Sequence, residues 1–157
     1  MDTLTPASTR RDTRIRVTTR RPTEFIDLTV RLQQLVAAAD VGCGIVNVQT
    51  LHTTTAIVVN EHEPLLLTDF QALLEQLAPD HRRYRHDDPI ERTVNVTADE
   101  RTNGHAHCRA LFLPSSASLN VVNGRLQLGR WQRVFLVELD GPREREISVV
   151  LLGAAQP

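Results

Sequence analysis

Polar and apolar positions follow two rhythms along this chain, and the changes of rhythm mark its elements. Ile15-Arg16-Val17-Thr18-Thr19 alternates and predicts a strand, and Phe25-Ile26 end a second one. Asp27 or Thr29 can cap a helix whose apolar stripe is Leu32, Leu35, Val36 and Ala39, with Gly42 and Gly44 ending that region. Residues 45–51 return to alternation and are rich in β-branched side chains, so they predict a strand. Ala56-Ile57-Val58-Val59-Asn60 is more continuously apolar, as a central strand is. Pro64 suits the first turn of a second helix. Its stripe is Leu66, Phe70, Leu73, Leu74 and Leu77, Asp69 lies at the stripe's edge, and Pro79 closes it.

Residues 79–104 are polar and turn-rich, and a loop of that length is usually functional or disordered. Ala110-Leu111-Phe112-Leu113 predicts a short buried segment. Asn123-Gly124 between two alternating segments predicts a hairpin. Residues 133–139 and 146–152 predict two more strands, joined by Asp140-Gly141-Pro142-Arg143. The expected fold is α+β, a mostly antiparallel sheet or sandwich of roughly seven strands with two or three helices. Residues 1–12 are expected to form a flexible tail, and residues 13–157 a single domain.

Composition removes several functions. All 18 basic residues are arginine, so a Schiff-base lysine and a P-loop are excluded. Net charge is −1 and aromatics are 4%, which argues against a nucleic-acid partner. The arginines between Arg10 and Arg21 read as a local solvated face. No run reaches the ~20 apolar residues of a spanning helix, and the N-terminus has no secretory apolar core, so no membrane and a cytoplasmic location are expected. Cys43 and Cys108 form no CxxC pair and are expected as free, half-buried thiols, Cys108 as a small buried residue.

The candidate chemistry lies with histidine. His52 sits in Leu51-His52-Thr53-Thr54-Thr55, His86 in Tyr84-Arg85-His86-Asp87-Asp88, and His107 in His105-Ala106-His107-Cys108. Three imidazoles with an open position make a usual catalytic zinc site. Each histidine also has a plain structural or surface reading. His105 and His107 would share a face on a strand and diverge by about 200° on a helix. Asn60 and Glu61 end a neighbouring strand, where a carboxylate could orient a ligand imidazole. Glu63 is read as a helix-start residue, and His62 and His81 as surface residues. Arg143 and Arg145 could clamp a phosphate or form a solvated hairpin.

Taken together, His52-Thr53-Thr54 with Asn60-Glu61, Asp69, Tyr84-x-His86-Asp87, His107 within Gly104-His105-Ala106-His107, Ser115-Ser116, Gly129-x-Trp131-Gln132 and Gly141-Pro142-Arg143 resemble the YjbQ family of secondary thiamine-phosphate synthase enzymes, from about residue 14 to 152. The resemblance implies a small α+β domain assembling as a homotrimer, and a histidine-lined cleft that often holds a metal. On it, His52, His86 and His107 match the recurrent histidines and would hold a divalent metal, zinc by preference. Glu61 or Asp69 would orient a ligand or act as general base. Thr53, Thr54, Asn60, Ser116 and Arg143 would bind a small, phosphorylated substrate. Pro114 and Thr55 depart from the family's usual glycine and alanine. The implied reaction joins a pyrimidine diphosphate to a thiazole phosphate. Imidazole ligands suit activation of water, so metal-assisted hydrolysis of a small phosphorylated or acyl compound is the alternative at the same site. A non-catalytic metal- or metabolite-binding trimer is the alternative of another class.

Overall fold

The computed structural model describes residues 8–155. The first half of the chain forms β1 (Ser8–Thr18), β2 (Glu24–Asp27), α1 (Thr29–Ala38), β3 (Val41–Thr50), β4 (Thr55–Glu61) and α2 (Pro64–Leu77). A 3₁₀ turn (Arg85–Asp87) and α3 (Gly104–Ala110) follow. The chain closes with β5 (Ser116–Val122), β6 (Arg125–Leu126), β7 (Gln132–Glu138) and β8 (Glu144–Ala155). The strands make two antiparallel sheets, one in the order β1-β8-β3-β5-β6 and one in the order β2-β7-β4.

The smaller sheet is buried on both faces. One face sends Ile57, Val59, Val134 and Leu136 into a core with Ile15, Val46, Val48, Ile147 and Val149 of the larger sheet. Leu28, Leu32 and Val36, around and within α1, complete that core. The opposite face sends Ala56, Val58, Phe135 and Val137 against Leu67 and Leu74 of α2 and Ala106 and Ala110 of α3. The order of layers is therefore sheet, sheet, helices. This two-sided burial explains the continuous apolar runs in β4 and β7. Each large side chain fully buried there contributes roughly 1.5–3 kcal/mol.

The α+β architecture matches the expectation, and several details do not. Ser8 to Asp12, expected in the tail, pair with Ala154 to Val150 of β8; residues 1–7 lie outside the described part. The described residues hold eight strands where roughly seven were expected, and residues 144–145 and 153–155 lengthen the last of them, β8. The buried stripe of α2 is centred elsewhere: Leu74 is buried, but Leu73 is 62% and Leu77 44% exposed. Phe70 packs at 5.8 Å from Phe25, so Leu67, Phe70 and Leu74 set the inward face. A helix with leucine on most sides does not announce which side packs. Residues 110–113 end α3 and turn, leaving Leu111 and Phe112 exposed while Ala110 and Leu113 pack inward. Cys43 and Cys108 are both exposed, neither half-buried nor buried. No helix among the described residues is long and apolar enough to cross a membrane.

Candidate functional site

The long polar segment between α2 and α3 is ordered by side chains that grip backbone. The Tyr84 hydroxyl donates to the Pro79 carbonyl at 2.8 Å. Asp88 accepts from the N–H groups of Ile90 and Glu91 at 2.9 and 3.2 Å. Arg92 donates to the carbonyls of His86 and Asn95 and pairs with Glu100. Asp87 Oδ1 accepts from the N–H groups of Asn103 and Gly104, each at 2.9 Å, and so ties the 3₁₀ turn to the start of α3. Glycine is needed at 104 because a Cβ there would lie 2.4 Å from Tyr84 Cβ. Buried Arg109 fastens α3 from the other side, donating to Glu75, Ala78 O and Thr23.

This scaffold brings two histidines together. The rings of His86 and His107 have centroids 4.6 Å apart and are inclined at 59°. Nε2 of His86 is closed to solvent and has no hydrogen-bond partner among the described residues. Burial pushes the His107 pKa below its ordinary value, and the nearby His86 and Arg92 add to this against Asp140 and Glu100. Neutral imidazole is the form that ligates metal. His105, on the same short helix, lies toward Tyr84 at 6.5 Å, so the helical divergence applies and the two histidines of the pattern face different neighbours. A cleft of about 310 Å³ opens beside His86, lined among others by Asp87, Arg92, Glu100, Arg101 and Thr102.

His52 is elsewhere employed. Its Nε2 accepts from the N–H of Glu146 in β8 at 2.8 Å, stitching the β3–β4 turn to the larger sheet. Ligand atoms of His52, His86 and His107 do not gather within 4.8 Å of one another; among the described residues Glu75, Asp80 and His81 do, at the surface, with Glu75 already bound to Arg109. Within the chain the expected three-histidine set therefore does not close on one ion: His86 and His107 pair, while His52 Nε2 is taken by the Glu146 N–H. Thr54 is buried under Arg145, whose Nη2 donates to its hydroxyl at 3.1 Å. Arg145 is neither a phosphate clamp nor a solvated hairpin residue: it is 4% exposed and bound to Glu138 at 2.5 and 2.6 Å. Arg143 is half-buried and bound to Asp140, through Nη2 at 2.9 Å and through Nε to its carbonyl.

The remaining candidates sit apart from the pair's hydrogen bonds. Asn60 is exposed at the end of β4, its Oδ1 accepting from Glu61 N–H, and Glu61 is half-buried opposite Gln132. Asp69 is exposed on α2, Thr53 in its turn, and Ser116 at the start of β5. Glu63 caps α2, accepting from Leu65 and Leu66 N–H, as its position suggested. Asn103 and Asp140 are functional candidates that the sequence did not single out. Asn103-Gly104 reads as a turn, and no spacing rule signals that Asn103 Nδ2 would donate to Asp140 at 3.1 Å beside the histidines.

Similar proteins agree with this architecture. A curated relative from Archaeoglobus fulgidus, a UPF0047 protein, is 39% identical over 134 residues, covering 85% of this chain and 95% of its own length. A UPF0047 protein from Methanothermobacter thermautotrophicus is 37% identical, with 86% and 87% covered. Among solved structures, a YbjQ-like protein of unknown function from Sulfolobus solfataricus superposes with a TM-score of 0.83 at 35% identity, over 94% of this chain and 99% of that one. A hypothetical protein from Aeropyrum pernix gives 0.80 at 31% identity, over 91% and 98%. The family model described as UPF0047 protein YjbQ-like matches residues 13–154, and the chain belongs to that family.

Proposed function

We propose that this protein is a small metal-dependent enzyme whose centre is built on His86 and His107. One observation carries the reading: a solvent-closed imidazole nitrogen of His86, without a partner among the described residues, beside a second imidazole whose pKa burial lowers. A buried nitrogen left unpaired costs about 1–3 kcal/mol unless a ligand satisfies it. Two imidazoles favour zinc or another first-row ion over magnesium. Bound there, such an ion would supply Lewis acidity and lower the pKa of a coordinated water. The chain's own part is to fix the pair: Asp87 locks the turn to α3, and Arg92 and Glu100 hold the loop that borders the cleft.

Metal-assisted hydrolysis of a small phosphorylated or acyl compound is the reaction these groups favour. The thiamine-phosphate synthase reaction implied by the resemblance needs a diphosphate clamp, and two side chains expected in it, Thr54 and Arg143, are engaged by Arg145 and Asp140. A homotrimer belongs to the same proposal, since Leu73, Leu77, Leu111 and Phe112 are apolar side chains for an assembly to cover. Two exposed free thiols fit a reducing, cytoplasmic location.

The test is elemental analysis of the purified protein, followed by a screen of phosphate and carboxylate esters with and without chelator. About one equivalent of transition metal per chain, absent from His107→Ala, is the expected result. A wild-type protein that stays metal-free after reloading, or a His107→Ala protein that keeps its metal, overturns the reading.

A further inference from the structure

Two imidazoles are fewer donors than a metal centre usually has, and a third donor stands beside them. Asn103 is 5% exposed, and its Oδ1 is closed to solvent with no hydrogen-bond partner among the described residues. Chemistry fixes which way the amide points. The Asp140 carboxylate accepts from Arg143 and can only accept, so the Asn103 atom 3.1 Å from it is Nδ2–H. Oδ1 therefore faces away from Asp140. Its ordinary use is also missing. A residue that precedes a helix turns its side-chain oxygen back onto the second or third N–H. Asn103 makes no such bond, and the N–H groups of Ala106 and His107 go to its backbone carbonyl at 2.9 and 3.2 Å.

The side chain belongs to the neighbourhood of the pair by three links. Asn103 is the residue just before α3, and its backbone carbonyl accepts from the N–H of His107 at 3.2 Å. Its N–H is held by Asp87, the residue after His86. Asp140, which holds its Nδ2–H, acts electrostatically on His107. Among the described residues, two solvent-closed polar atoms thus have no partner, Asn103 Oδ1 and His86 Nε2, and they lie on segments joined through one carboxylate. The fixed amide resembles the outer-shell support that orients metal ligands, with Asp140 and Arg143 behind it.

We propose that the side-chain oxygen of Asn103 is a ligand, alongside His86 and His107, for the divalent cation of this centre. The inference rests on the metal reading above and adds the donor that sequence patterns did not reveal. A neutral oxygen with two imidazoles is a donor set that zinc and cobalt both accept.

The experiment is a titration of the purified full-length protein with Co²⁺, followed by visible absorption. Wild type, Asn103→Leu, Asn103→Asp and His107→Ala are compared after thermal denaturation has confirmed each fold. Asn103→Leu is expected to weaken Co²⁺ binding by roughly 10- to 100-fold or more and to change the ligand-field bands. Asn103→Asp, which keeps an oxygen, is expected to bind at least as tightly as wild type. Both variants lose the Nδ2–H that reaches Asp140, and Asp adds a like charge against that carboxylate, so a role confined to the hydrogen bond predicts a loss in Asn103→Asp at least as large as in Asn103→Leu, and that result overturns the proposal. So does a Leu variant with wild-type affinity and spectrum. If binding fails only in His107→Ala, the metal reading survives and the Asn103 ligand does not. If wild type takes up no Co²⁺, both fall. Should the Leu variant not fold, a folded Asp variant that loses Co²⁺ overturns the proposal by itself.

Discussion

The corner around His52 and the corner around His86 carry the same kind of residues and treat them in opposite ways. In the first, Glu138 is fully buried and takes five donors: Leu139 and Asp140 N–H, two guanidinium nitrogens of Arg145, and the Thr19 hydroxyl. Arg145 reaches on to Thr54, and His52 accepts from Glu146 N–H. In the second, His86 Nε2 and Asn103 Oδ1 are closed to solvent and unpaired among the described residues. Buried polar atoms are nearly always paired in a folded protein. A corner whose buried carboxylate is met by five donors holds the sheets together and leaves little for a ligand. A corner that leaves two atoms unmet tolerates that cost for something that binds.

The largest expected effect comes from breaking the satisfied corner. Glu138→Ala leaves Arg145 buried without its carboxylate, which costs roughly 3–5 kcal/mol for a buried pair broken on one side. Urea unfolding of the variant should show that loss. Metal content of whatever remains folded should stay near wild type, because His86, Asn103 and His107 keep their side chains and in that corner only the Asp140 N–H loses its acceptor. A loss under about 1 kcal/mol would mean that the pair behaves as a solvated one, and the contrast between the corners would weaken.

A smaller effect is expected at His52. His52→Ala removes the acceptor for Glu146 N–H, a loss of about 1–3 kcal/mol if that group is left without a partner. Elemental analysis should find the metal retained. Loss of the metal in this variant, with the fold intact, would return His52 to the centre and erase the distinction drawn here.

How far these corners were legible in the sequence follows from what kind of signal each produces. The hairpin at Asn123-Gly124 was plain, because both residues adopt positive φ, 51° and 69°, which that dipeptide tolerates. β4 and β7 were plain because burial on both faces writes an unbroken apolar run. The packed side of α2 was not, since Leu65, Leu73 and Leu77 are as apolar as Leu74 and only Phe25 and the sheet choose between them. His86 and His107 were legible as candidates from their polar flanks, but residue type cannot say which histidines meet. That is decided by the Asp87 bonds to Asn103 and Gly104, a long-range contact across 16 and 17 positions. Arg145 and Glu138 escaped for the same reason: each reads as a surface charge until β7 and β8 bring them together inside the protein.

The smallest expected effect is a change in how stability falls with acidity, and it separates the corners without disturbing their packing. Burial lowers the His52 pKa from its usual 6.5, and Arg145 and Arg143 reinforce this against Glu138 and Glu146. The folded protein therefore binds that proton less readily than the unfolded chain. The stability that comes from keeping His52 neutral is present above about pH 6.5 and is lost as pH falls through the lowered value. Protonation would also cancel the acceptor that Glu146 N–H uses. Burial pushes Glu138 up, but the Arg145 and Asp140 hydrogen bonds outweigh it and hold the carboxyl below its ordinary 4.5, so its share is lost only in more acid solution. Urea midpoints of metal-free protein, measured from pH 7.5 downward, should thus fall in two stages. His52→Gln keeps an oxygen to accept from Glu146 and cannot titrate, so the first stage should become shallower while the second stays. Part of the first stage must survive in that variant, because His105 and His107 are lowered by burial as well. An unchanged first stage in His52→Gln would show that the His52 ring protonates as freely in the folded protein as in the unfolded chain, which its bond to Glu146 does not allow.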